Sequence, residues 1–292
     1  MPYPDYLSAS PKIILFTDFD GTITLQDTND FITDNYGFGG EKRHNIMQDI
    51  LVDKTTFRDG FQDMVNSWKM PFPRVLDILR ENITLDPGFK EFMRWAKSNN
   101  VPVVVLSSGM EPVLRTLLSK LVGDDLIKDI EIIANDTRLV PPGNSLDKAD
   151  GWNISFHDES GFGHDKSRTI RPYAEHIAKM PVNERPTLLY AGDGVSDLSA
   201  ARETDLLFAK EGRDLVTYCE RENVPFTTFS DWSTILQTTK DIFEGKTSVK
   251  QTAEEGLKRH RTNSIEQPRR PHRASSLDYA AAEQFRREQK QQ

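Results

Sequence analysis

Cysteine is nearly missing from this chain of 292 residues: Cys219 stands alone, so no disulfide can form within the molecule. Long apolar runs are missing too. The best is VPVVVL at 101–106, far short of the ~18 residues that a membrane span needs. The opening MPYPDYLSASPK has neither the basic start nor the apolar middle of a secretory leader. These absences lead us to expect a soluble intracellular protein without a membrane partner, cytoplasmic, with the nucleus also open. No internal repeat is visible.

Positive charge is in deficit, with 37 Lys and Arg against 45 Asp and Glu, but the deficit is uneven. Residues 246–292 hold 11 basic and 6 acidic side chains, leaving net −13 before them. A basic tail is the composition of a contact for nucleic acid or another anionic partner, and equally that of a solvated segment with no partner. The second is favoured, and no nucleic acid is required. Within the tail, KRHRTNSIEQPRRPHRASSLDY has almost no apolar periodicity, so it cannot bury enough surface to offset its ordering entropy. A disordered tail over 246–292 is expected, dispensable for turnover, with its partner unknown.

What is present is a core. Hydrophobic residues make up 37% of the chain, enough for one large domain or two small ones. KIILFTDF, VPVVVLSS, TLLYAGD and DLLFAK read as strands whose near-continuous apolar character suits a parallel sheet covered on both faces. Between them, apolar residues at three-to-four spacing mark helices, for example Val113, Leu114, Leu117, Leu118 and Leu121. The alternation predicts a doubly wound α/β, Rossmann-like core over 10–24 and 86–245. Residues 25–85 break it with helical stripes alone, such as Phe57, Phe61, Met64, Val65 and Trp68. They predict a small helical cap domain inserted after the first strand. IEIIAN and WNISFHD, separated by a Pro- and Gly-containing stretch, read as a long-looped hairpin.

Polar residues gather where the strands end. In IILFTDFDGTIT, Asp18 and Asp20 lie two apart and so face the same space, at the end of a sheet where such folds place ligands. VVVLSSGM delivers Ser107 and Ser108 ahead of a helix whose free N–H groups suit phosphate oxygens. YAGDGVSDLSAA delivers Asp193 and Asp197. GHDKSRTI puts Lys166 at a helix start, where the dipole disfavours a cation, so a compensating anion is expected. Converging carboxylates at ~4 Å would repel by about 4 kcal/mol per pair at an effective dielectric of ~20. A hard divalent cation together with Lys166 removes the conflict, and Mg2+ fits carboxylates that share a phosphate.

DFDGT, LSSG, HDKS and GDGVSD, in this order and at these element ends, resemble the four motifs of the haloacid dehalogenase-like (HAD) phosphatases. The helical insertion resembles the cap of the phosphoserine-phosphatase-like branch. FTDFDGTIT, FGHDKSR, GDGVSDLSAA and DLVTYC resemble a fungal group of cytosolic HAD phosphatases acting on phosphorylated polyols and sugars. The similarity covers roughly residues 12–245.

The resemblance implies a phosphomonoesterase acting on a small phosphorylated metabolite. Asp18 would be the nucleophile that forms an aspartyl-phosphate, and Asp20 the acid and then the base. Asp18, the Asp20 carbonyl and Asp193 would hold Mg2+, with Asp197 supporting, while Ser107 and Lys166 would bind phosphate oxygens. Ser108 stands where relatives often have Gly and is given only a backbone contact. Asp27 matches the acidic position that receives the ammonium in phosphoserine phosphatases; it suits polyol hydroxyls equally, and a plain helix cap is the other reading. Arg58 is the available candidate for a carboxylate-binding arginine, without a confident motif match. A phosphoserine phosphatase, a phosphotransferase or mutase, and a non-catalytic binding protein of this fold remain alternatives.

Overall fold

The computed structural model describes residues 10–51, 54–128, 130–194, 196–222 and 224–266. Strands β1 (Ile13–Thr17), β2 (Val103–Met110), β3 (Glu131–Leu139), β4 (Trp152–Ser155), β5 (Thr187–Gly192), β6 (Leu206–Lys210) and β7 (Phe226–Phe229) form one sheet. Its order is β4-β3-β2-β1-β5-β6-β7. Every neighbouring pair is parallel except β3 and β4.

The run IILF explains itself once β1 is central. Ile13 and Leu15 enter one apolar cluster and Ile14 and Phe16 the other, so both faces are dry and no polar alternation is permitted. The chain order reverses between β2 and β5, on either side of β1. That reversal opens a crevice at their carboxyl ends, the usual ligand position of such sheets.

Helices α1 (Thr28–Tyr36), α2 (Gly40–Leu51), α3 (Phe57–Ser67) and α4 (Phe72–Asn82) form the cap. Its two ends meet in an antiparallel bridge between Thr24 and Leu85, beside the Leu25 N–H donating to Thr84 O at 2.9 Å. The remaining helices are α5 (Phe89–Ser98), α6 (Glu111–Leu121), α7 (Asp124–Ile127), α8 (Lys166–Ala178), α9 (Ser196–Ala201), α10 (Asp214–Glu222), α11 (Trp232–Phe243) and α12 (Val249–Glu266).

The expected hairpin is β3 and β4, and it clasps the cap. Trp152 Nε1 donates to Met70 O at 3.0 Å, and the Trp152 ring stands edge-on to Phe72 with centroids 4.8 Å apart. Unlike a free-standing hairpin, β3 also joins the main sheet beside β2.

The first part of the expected tail is helical. Residues 249–266 are α12, which lies against β7, the outermost strand. Thr252 and Ala253 are buried, and a side chain at Gly256 would sit 2.7 Å from Thr227 Cα. The helix docks through Val249, Thr252, Ala253, Gly256 and Leu257, a narrow face whose small residues thin the apolar stripe. Residues 267–292 lie outside the described residues. Gly256→Val is expected to lower the unfolding free energy by about 2 kcal/mol, the scale of overpacking a close contact. Denaturant melts of the two proteins check this.

Among the described residues no helix is long and apolar enough to cross a membrane.

Candidate active site

Three parallel strands deliver the polar groups. β1 ends into Asp18 and Asp20, β2 carries Ser107 near its end, and β5 runs into Asp193. The turn after β1 is tight: Gly21 has φ +72°, and a side chain there would overlap the Asp193 carboxylate. Glycine is needed for both reasons, since L residues disfavour that conformation and only a bare backbone admits Asp193 so close.

Lys166 is the first residue of α8, whose N-cap Asp165 accepts from Ser167 N. Its ammonium is 1% exposed and lies 2.8 Å from Asp18 Oδ1 and 2.6 Å from Asp197 Oδ1. The anions that its unfavourable helix position called for are therefore two carboxylates. Burial alone would lower its pKa, but Asp18 and Asp197 overcome it and hold the ammonium charged.

Asp197 is fully enclosed and used up. It accepts from Lys166, from the Tyr190 hydroxyl at 2.6 Å, and from the N–H groups of Asp193 and Gly194 at 3.0 Å each. Its job is to lock Lys166 and the Asp193 loop in place. The nearest cation to Asp193 among the described ion pairs is Arg213, at 3.9 Å and half exposed.

The carboxylates are strained electrostatically. Burial pushes Asp18 up to about 7, with Lys166 pulling the other way. Burial raises Asp193 as well, reinforced by Asp18 and Asp197. Carboxylate oxygens of Asp18, Asp193 and Asp197 lie within 4.8 Å of one another. Asp18 and Asp193 have hard oxygens to offer, while Asp197 has committed its own to the groups around it. The residues fit a divalent ion of the magnesium type.

Asp20 is set apart. Its Oδ1 accepts the Thr28 N–H at 2.8 Å and its Oδ2 a longer contact from Asn29 Nδ2 at 3.4 Å, so the side chain turns toward the cap. Burial and then Asp27 raise its pKa well above the ordinary carboxylate value. Two acids separated by one residue thus have different tasks available to them: one faces an ammonium, the other is pressed to keep a proton.

Ser107 is buried and its Oγ accepts from Gly109 N at 2.9 Å. Ser108 is half-buried, its carbonyl held by Asn135 Nδ2 at 2.6 Å. β2 runs on to Met110, so α6 begins only at Glu111 and the pocket edge is Ser107 to Gly109 rather than the helix end. His164 fixes this edge. Its Nδ1 must donate to the Ser107 carbonyl, 2.8 Å away, leaving Nε2 to accept from Thr169 Oγ1 at 3.1 Å. That is the neutral ring, and burial holds its pKa down to about 4.

These groups form the floor of a cavity of about 280 Å³ roofed by the cap. Asp27, Asn29, Asp30 and Arg43 make one wall, and Met47, Phe57, Phe61 and Met64 another. Asp27 both lines the cavity and caps α1, accepting from Asn29 N and Asp30 N. Arg58 does not reach it. Its guanidinium donates to Asp158 O at 2.7 Å, pairs with Glu159 at 3.1 Å and lies over the Phe156 ring. It fastens α3 to the loop before α8, which corrects its expected place beside the substrate. Arg43, which the sequence reading passed over, is the cap arginine that faces the cavity; in α2 no local signal separates it from other helix-surface charges.

Removing Lys166 leaves buried carboxylates without a counter-charge. Lys166→Met in metal-free protein is expected to lower the unfolding free energy by about 3 kcal/mol, the scale of breaking a buried pair by one partner. Urea titration at neutral pH in the presence of a chelator measures it.

Known proteins share this sequence and fold. Residues 15–202 match the family model for haloacid dehalogenase-like hydrolases. The polyol phosphate phosphatase PYP1 of Saccharomyces cerevisiae is 47% identical over 245 residues, covering 83% of this chain and 99% of the yeast protein. Pdp3-interacting factor 1 of Schizosaccharomyces pombe is 46% identical, covering 81% and 99%. A solved structure of a phospho-aspartyl intermediate analogue of phosphoserine phosphatase superposes with TM-score 0.56 at 19% identity, over 78% of this chain and 99% of that one. The last likeness is one of fold.

Proposed function

The chain belongs to the haloacid dehalogenase-like hydrolases and is a phosphatase of that family; from that premise we propose that it hydrolyses small phosphorylated polyols or sugars, with Mg2+, through a phosphoenzyme on Asp18. The observation that carries the proposal is the meeting of Asp18, Asp20, Lys166 and Asp193 in one cap-roofed cavity. The 47% identity to a polyol phosphate phosphatase supports the substrate class.

In the first step an Asp18 carboxylate oxygen attacks phosphorus, and the bond from phosphorus to the ester oxygen breaks. Asp20 gives its proton to the departing alkoxide, a role suited to a carboxyl whose pKa burial raises. In the second step water attacks the same phosphorus while Asp20 takes up its proton, and Asp18 is released. Splitting the displacement in two makes each half easier. Lys166 orients Asp18 through their 2.8 Å contact and offers positive charge to the phosphoryl oxygens. The Ser107 hydroxyl and the Ser108 backbone would contact those oxygens. Asp18, the Asp20 main-chain carbonyl and Asp193 would hold the cation, supported by Asp197; when bound it offsets negative charge on the carboxylates and the phosphate.

The division into core (10–24 and 86–245) and cap (25–85) belongs to the same reading, since the cap closes the cavity over the leaving group. So does a cytoplasmic, nucleic-acid-free setting. Phosphoserine is the weaker substrate because Arg58 is turned away from the cavity.

Phosphate release from matched panels of polyol phosphates, sugar phosphates, phosphoserine and nucleotides tests the reading. The kcat/KM for at least one neutral polyol or sugar ester is expected to exceed that for phosphoserine by about tenfold or more, as a buried polar mismatch of 1.4 kcal/mol gives. A preference for phosphoserine would overturn it.

A further inference from the structure

Resting on that reading of the cavity, we propose that Asp34 sets the charge of the leaving group this site accepts, by occupying Arg43. An arginine facing the leaving-group wall of a phosphatase would ordinarily draw in a second anion. Here each guanidinium nitrogen has a carboxylate. Nε lies 2.7 Å from Asp34 Oδ1 and Nη2 2.8 Å from Asp34 Oδ2, a two-pronged fork, while Nη1 lies 2.8 Å from Asp30 Oδ2. Asp30 and Asp34 are one turn apart on α1 and grip α2 between them.

Such a fork is the strongest geometry available to the pair, and a substrate carboxylate would have to displace it. With Asp27 beside them, the cluster carries three carboxylates to one guanidinium. The wall therefore presents acceptors to hydroxyl donors and repels a carboxylate. Asp34 does not itself line the cavity; it is a positioning residue acting through Arg43.

Glycerol 3-phosphate and 3-phosphoglycerate differ at one terminus only, a hydroxymethyl group against a carboxylate, and make the test. Asp34→Asn keeps the shape and one acceptor but breaks the fork. The ratio of kcat/KM for 3-phosphoglycerate to that for glycerol 3-phosphate is expected to rise about tenfold, chiefly through KM. Combining Asp34→Asn with Arg43→Met is expected to cancel the rise. An unchanged ratio in folded Asp34→Asn, or an equal rise in the double variant, overturns the proposal. Equilibrium binding of 3-phosphoglycerate by calorimetry repeats the comparison without turnover: tighter binding by Asp34→Asn supports the proposal, unchanged affinity overturns it. A wild-type protein that hydrolyses neither ester counts against the phosphatase reading, whereas the calorimetric comparison still decides the role of Asp34.

Discussion

Asp18→Asn should reduce phosphate release by at least about 10⁴-fold, within the range seen when a hydrolase loses its nucleophile. The amide is nearly isosteric and its oxygen can still accept from Lys166, so the fold is expected to persist. It should even gain stability when metal-free, because burial opposes the charge on Asp18 and Asp193 adds to the repulsion. Two measurements separate chemistry from folding. Phosphate release under saturating substrate should fall to background, while denaturant midpoints stay at or above those of the wild type. Acid-quenched protein from labelled substrate should carry phosphate in the wild type and none in the variant. Wild-type turnover in folded Asp18→Asn would remove the nucleophile from the mechanism.

Removal of divalent metal should be about as severe. Carboxylate oxygens of Asp18, Asp193 and Asp197 lie within 4.8 Å of one another, and Lys166 is shared between Asp18 and Asp197. With a chelator, turnover is expected to fall by at least about 10³-fold, the scale of losing a principal electrostatic stabiliser, and added Mg2+ should restore it. Binding should also appear without substrate. At a hundredfold excess over Kd a ligand stabilises by about 2.7 kcal/mol, which for a chain of this size raises Tm by roughly 4–5 °C. Asp193→Asn is expected to abolish that rise. Undiminished turnover in chelator would exclude the cation from the site.

The parts of this site that the sequence disclosed are those where the local chain carries the reason. Asp18 and Asp20 announce themselves because an apolar strand cannot end in paired acids without a purpose, and Lys166 because a helix start repels it. Contacts made between distant segments left no such mark. Even the bond from Tyr190 to Asp197, only seven residues on, is hidden, because Tyr190 lies inside an apolar strand that gives no sign of where its hydroxyl will go. Arg58 and Arg43 both sit on polar helix faces, and which one turns inward depends on how α2 and α3 pack, not on their own residues. β7 is four residues, FTTF, too short for periodicity to declare it. α12 is faint in the sequence because Thr252, Ala253 and Gly256 stand between Val249 and Leu257 on its docking face, and such small residues make a weak apolar stripe.

That last feature bears on handling the protein. A terminal strand with its main-chain groups uncovered is a template on which another copy can add itself. A chain stopped at Gly245 would keep every group of the cavity yet lose the insulation that α12 gives β7. Its first symptom should be turbidity and time-dependent clumping, while freshly prepared material still works.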